Sequence, residues 1–153
     1  MTDTVGVLGA GLMGREIALV FALAGHPVIL TDRTEAVLDA ARARLAEIVG
    51  KGIARGLMPE GARSALPRIA TATDPAAIAP CAFVTEAVYE DEGVKAQVLA
   101  AADAAMAPEA ILATNTSTIP ISVLAAHLRP ERRPRFIGTH YFSPASRMKL
   151  VCR

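Results

Sequence analysis

Short unbroken apolar runs along the chain alternate with longer stretches in which apolar residues recur every three or four positions. The run at 4–8 reads as a buried strand and leads straight into a glycine-rich turn. Ile17, Val20, Phe21 and Ala24 then recur at helical spacing, which predicts a helix over 12–24 closed by Gly25, His26 and Pro27. A second buried run at 28–31 ends at Asp32. Thr34 fits the N-cap of a long helix over 35–53, with Val37, Ala41, Leu45 and Ile48 on one face. Gly56 and Pro59 interrupt the pattern, and a shorter helix is expected over 59–66. Further strands are expected at 69–71, 83–88, 110–114 and 135–140. Between them fall a helical turn starting at Asp74 and Pro75, and helices over 91–106 and 121–128. Strand and helix alternate throughout, which predicts an α/β fold of the Rossmann type, a doubly wound and mostly parallel sheet.

Composition narrows the function. The 153 residues suffice for one domain, and 52 % hydrophobic content is too rich for disorder. A net charge of +1 without a polybasic face argues against a nucleic-acid partner. No apolar run approaches the roughly 20 residues that cross a bilayer, so no membrane partner is expected. The opening residues carry no leader pattern, and a cytoplasmic location is expected. Cys81 and Cys152 form neither a disulfide framework nor a metal-ligand cluster. They are expected to be reduced thiols. His26, before a proline, and His127, in the last turn of a helix, are expected to be structural.

The turn Gly9-Ala10-Gly11-Leu12-Met13-Gly14 has the spacing of a dinucleotide-binding loop. It follows a strand and opens a helix inside a βαβ unit. Gly9 permits the tight turn, Gly11 admits the backbone to a pyrophosphate, and Gly14 lets the helix pack on the strand. The helix N-terminus offers free N–H groups to the diphosphate. Asp32, 18 residues past Gly14, ends the second strand. A carboxylate there accepts ribose hydroxyls and repels a 2′-phosphate, so NAD is favoured over NADP. The adjacent Arg33 pulls the other way, because arginine also neutralises a 2′-phosphate.

Three other segments fall at the carboxyl ends of predicted strands. They are Glu86-Ala87-Val88-Tyr89-Glu90 with Lys95, Thr114-Asn115-Thr116-Ser117-Thr118-Ile119-Pro120-Ile121, and Gly138-Thr139-His140-Tyr141-Phe142-Ser143-Pro144. Ligands of open α/β sheets bind along that edge. With these four motifs in this order, the whole chain resembles the NAD-binding domain of L-3-hydroxyacyl-CoA dehydrogenases. The wording is most like the dehydrogenase part of multifunctional fatty-acid oxidation proteins. The resemblance implies NAD-dependent oxidation of an L-3-hydroxyacyl-CoA to the 3-ketoacyl-CoA, within fatty-acid β-oxidation or related acyl-CoA metabolism. His140 would then take the hydroxyl proton, and Ser117 would hydrogen-bond the substrate oxygen beside the cofactor. Glu90, Lys95 and Asn115 would line the cofactor side, with Ala87 against it. Ser143 would face the substrate where many relatives carry asparagine, and Lys51 or Arg55 would meet the CoA phosphates. No metal is implied.

Two departures from the family pattern bear on this expectation. The family pairs its histidine with a glutamate twelve residues later, and that position here is Cys152. Relatives also continue into a helical domain that closes over the substrate and makes a homodimer contact. The chain is therefore expected to be one NAD-binding domain, 1–153, cut from a longer protein. Two alternatives remain: a NAD-binding module without turnover, and a related dehydrogenase acting on a sugar acid.

Overall fold

The computed structural model describes residues 2–148 and 151–152. β1 (Val5–Leu8) is buried at all four positions and lies in the middle of a six-stranded sheet. β2 (Val28–Thr31) and β3 (Ile69–Ala72) extend the sheet on one side of it. β4 (Phe83–Glu86), β5 (Ile111–Thr114) and β6 (Phe136–Gly138) extend it on the other. The order is β3-β2-β1-β4-β5-β6, and every pairing is parallel. The winding reverses between β1 and β4, so a crevice opens where their carboxyl ends part.

Alternate strand residues face opposite sides, so one strand feeds two cores. Val7 and Leu30 pack with Ile17 and Ala18 of α1 (Leu12–Leu23) and Leu38 of α2 (Glu35–Ala54). Leu8, Val84 and Leu112 pack on the other face, with Leu99 of α3 (Glu92–Ala105) and Leu124 of α4 (Ile121–Ala126). A third cluster of Leu19, Leu45, Val49 and Ala62 fills the space outside α1.

The helical faces are turned from those the spacing predicts. In α2 the buried residues are Leu38, Ala41, Leu45, Val49 and Gly52, whereas Val37 is exposed. In α1 they include Leu19 and Ala22, whereas Ala24 is exposed and caps the helix. Both helices are apolar over a broad arc, and α1 is covered by sheet on one side and by α2 on the other, so spacing alone did not select the inner face. Thr34 caps α2 as expected, accepting the Val37 N–H at 3.4 Å. Asp91 caps α3 rather than belonging to it, accepting the Val94 N–H at 2.9 Å. The segment expected as a helix over 59–66 is a 3₁₀ turn, Glu60–Arg68, with Pro67 inside it.

The expected strand over 135–140 divides. β6 leaves the sheet after Gly138, and β7 (His140–Tyr141) pairs antiparallel with β8 (Val151–Cys152). Two side bonds fix the break. The Thr139 N–H donates to the Thr114 carbonyl at 2.8 Å, and the Tyr141 N–H donates to Asn115 Oδ1 at 2.8 Å. The other two histidines each have a partner: His26 Nδ1 lies 3.0 Å from the Asp3 carbonyl, and His127 Nε2 lies 3.3 Å from Glu92.

Arg132 is 2 % exposed, an unusual place for a guanidinium. Its Nε donates to Asp103 at 2.9 Å, and its terminal nitrogens reach the carbonyls of Ala107 at 2.8 Å, Pro108 at 3.3 Å and Ala110. It thereby satisfies the chain that leaves α3, where backbone acceptors would otherwise be orphaned. Arg129 shares Asp103, at 2.8 Å. Burial opposes the Asp103 charge, but hydrogen bonds from the two arginines outweigh it and hold the carboxyl near 2, below its usual 3.8.

The unfolded chain therefore binds the extra proton first, and Asp103 favours the fold by about 2 kcal/mol at neutral pH. That contribution is whole above about pH 4 and disappears as pH falls towards 2. Asp103→Asn should lower the melting temperature at pH 7 and bring the variant progressively closer to the unmodified protein as pH falls below 4, followed by circular dichroism. Arg132→Met leaves Asp103 short of a partner and should cost about 3–5 kcal/mol in urea unfolding.

Candidate functional site

The glycine turn lies at the crevice. Gly9 has φ +95°, a conformation that glycine adopts without strain, and a β-carbon on it would come within 2.9 Å of the Ala87 carbonyl oxygen. A β-carbon on Gly14 would lie 1.8 Å from the Gly9 carbonyl oxygen, so α1 meets the end of β1 without room for any side chain. A β-carbon on Gly11 would meet nothing within 4 Å and would project into open space. Gly11 is also the N-cap of α1 and caps no N–H with a side chain, which leaves donors and the positive end of the helix for an anion.

Asp32 ties this turn to β2. Its Oδ2 accepts the Ala10 N–H at 2.7 Å, and its Oδ1 accepts the Arg33 N–H at 2.7 Å. Beside it runs a cavity of about 870 Å³. Gly9, Gly11, Leu12 and Met13 line one wall, with Asp32 and Arg33 at its end. Ala87, Glu90, Asn115 and Ser117 line the facing wall. Val94, Val98 and Ala101 of α3 add apolar surface that spacing did not point to. Volume, glycine cradle and uncapped helix end together fit a dinucleotide.

Two other predicted residues of this group lie behind the wall. The Ala10 side chain is buried under the turn. Lys95, 1 % exposed, turns inward. Its Nζ donates to Glu86 Oε1 at 2.7 Å and the Val88 carbonyl at 3.3 Å, and pairs with Glu90 Oε2 at 3.2 Å. The other Glu90 oxygen accepts from the Thr116 hydroxyl at 2.6 Å, the Ser117 N–H at 2.7 Å and the Thr118 N–H at 3.0 Å. Partial burial opposes the Glu90 charge, but the Thr116 hydroxyl, the two amides and the Lys95 ammonium prevail and hold it near 2.

At the rim, Ser117 Oγ lies 3.0 Å from His140 Nε2. The imidazole packs edge-on against Phe142, with ring centroids 4.7 Å apart. Cys152 sits directly across from His140 in the β7–β8 pair, exposed and unbridged. Ser143 does not reach the cavity: its hydroxyl lies 3.2 Å from Glu16 Oε2, which also accepts the Ala145 N–H at 2.7 Å. Glu16, 6 % exposed, and Glu86, fully buried, were given no role in the sequence reading. Glu86 had a legible signal, a carboxylate inside the mostly apolar stretch 83–88, because such a charge stays buried only with partners.

This strand order, with the glycine cradle and the cavity at its reversal, defines a dinucleotide-binding Rossmann domain. The family model described as 3-hydroxyacyl-CoA dehydrogenase, NAD binding domain, matches residues 4–152. The chain belongs to that family, and its cofactor is NAD. Solved structures agree. M. tuberculosis FadB2 is 38 % identical with TM-score 0.93, over 98 % of this chain and 53 % of that one. The (S)-3-hydroxybutyryl-CoA dehydrogenase PaaH1 of Ralstonia eutropha is 35 % identical with TM-score 0.92, over 99 % and 53 %. The 3-hydroxybutyryl-CoA dehydrogenase of Escherichia coli K12 is 35 % identical with TM-score 0.91, over 99 % and 32 %. The chain thus spans about half or less of the length of these structures.

Two alanine substitutions should separate packing from binding. Gly14→Ala should lower the melting temperature markedly, because the clash at 1.8 Å is with backbone. Gly11→Ala should leave the melting temperature within about 2 °C, since surface changes rarely exceed ~0.5 kcal/mol, yet weaken NADH binding by at least about tenfold in a fluorescence titration.

Proposed function

We propose that this domain holds NAD in the cavity beside the glycine turn and, within a longer chain, serves oxidation of an L-3-hydroxyacyl-CoA to the 3-ketoacyl-CoA. The observation that carries this reading is the 3.0 Å contact between Ser117 Oγ and His140 Nε2 at the rim of that cavity. Bound NAD supplies the hydride acceptor. Gly9 to Gly14 offer backbone to the diphosphate, and Asp32 presents its free lone pairs to the ribose, with Arg33 alongside. Ala87, Glu90 and Asn115 form the wall at the nicotinamide end. His140 takes the hydroxyl proton of the substrate at Nε2, a task an imidazole suits because it ordinarily titrates near neutral pH. Ser117 donates to the substrate oxygen from the same side.

A second cavity, of about 170 Å³, supports the acyl-CoA assignment. Lys51, Arg55 and Arg147 surround it, with Met58 and Leu57 as its floor. Three cations around an apolar patch suit a nucleotide bearing phosphates. Arg147 joins Lys51 of α2 and Arg55 at its C-cap.

Cys152 favours a second reading, NAD binding without turnover, because a neutral thiol opposite His140 offers no charge to an imidazolium. Steady-state oxidation of 3-hydroxybutyryl-CoA decides between the two. Turnover that His140→Ala abolishes supports the enzyme; NADH binding with no turnover at all supports the module. If the missing charge is what limits the rate, Cys152→Glu should raise kcat by about 10²–10⁴, by analogy with loss of the carboxylate from a catalytic triad. Asp32→Ala should weaken NAD binding and narrow the preference over NADP, and equal affinities before and after the change would remove Asp32 from the ribose site.

A further inference from the structure

Glu86 touches neither the cavity nor the Ser117–His140 pair, yet it is a fully buried carboxylate with every oxygen engaged. Oε1 accepts from Lys95 Nζ at 2.7 Å and from the Val88 N–H at 2.6 Å. Oε2 accepts from the Thr114 hydroxyl at 2.6 Å, and that hydroxyl accepts the Thr116 N–H at 3.3 Å. Lys95 Nζ donates to Glu86 and to the Val88 carbonyl, and its charge pairs with Glu90. Glu90 completes a ring by gripping Thr116, Ser117 and Thr118 from the other side.

From this geometry we infer that Glu86 is a positioning residue, which acts through Thr114 and the Lys95–Glu90 pair to set the Ser117 hydroxyl against His140. Lys95 is then the bridge between two carboxylates. The segment 115–118 has no regular secondary structure after β5, so it needs such a grip at both ends. A carboxylate on β4 is well placed to supply it, because β4 is held in the sheet between β1 and β5. The inference rests on the proposed pairing of Ser117 with His140, but its test does not require turnover.

The test uses the chain labelled with ¹⁵N at histidine. The imidazole Nε2 shift reports the Ser117 contact, and Ser117→Ala marks its value when that contact is absent. Glu86→Gln should carry the Nε2 shift more than half of the way to the Ser117→Ala value, while NADH affinity changes less than about threefold. Thr114→Val keeps the side-chain volume and removes one bond from Glu86, and should move the signal in the same direction by less. If Glu86→Gln does not fold, Thr114→Val carries the test alone. A variant that melts earlier but keeps the unmodified Nε2 shift would reduce Glu86 to a structural role and overturn the inference. Absence of turnover by the unmodified protein in an acyl-CoA assay, with the Nε2 response intact, would instead count against the dehydrogenase reading alone.

Discussion

No side chain fits at Gly14, because the first β-carbon would lie 1.8 Å from the Gly9 carbonyl oxygen. That contact sets α1 directly over the end of β1 and aims its first turn across the crevice between β1 and β4. The rest of the site is arranged around this placement. The cavity exists because the winding reverses there, and two glycines of the turn, Gly9 and Gly11, line it. A larger residue would separate helix from strand and carry Asp32's grip on Ala10 with it.

The loops around the crevice share one device. Each is held by a carboxylate that accepts main-chain N–H groups. Asp32 takes those of Ala10 and Arg33, and Glu86 that of Val88. Glu90 takes those of Ser117 and Thr118, and Glu16 that of Ala145. Loops lack ladder partners, so an unpaired amide near the interior carries a desolvation cost of about 1–3 kcal/mol. A charged acceptor meets that cost with a bond stronger than a neutral one. Glu90 fits this account, since its bonds hold it ionised against its own burial.

Strand positions and the glycine turn were legible because they are local: apolar runs, glycine spacing, and the cap at Thr34. The residues gathered at the carboxyl edge followed from topology alone. What escaped was set by distant partners. Glu16 and Ala145 are 129 positions apart, and Asp103 and Arg132 are 29 apart. No periodicity records such pairs. The arginine-rich stretch before β6 has the composition of a basic patch, yet Arg132, Arg133 and Arg135 spend donors on main-chain carbonyls. The division of the expected last strand escaped for a similar reason, because it depends on the Asn115 side chain intercepting the Tyr141 amide.

That division places His140 on a two-stranded ribbon outside the six-stranded sheet. The ribbon is tethered by side chains, and its Cys152 is exposed. Changes at position 152 therefore reach the histidine without touching the core, and selection for folding does not register them. Cofactor binding and proton transfer can drift apart in such an architecture: a lineage can alter its chemistry by one residue while the nucleotide half stays intact.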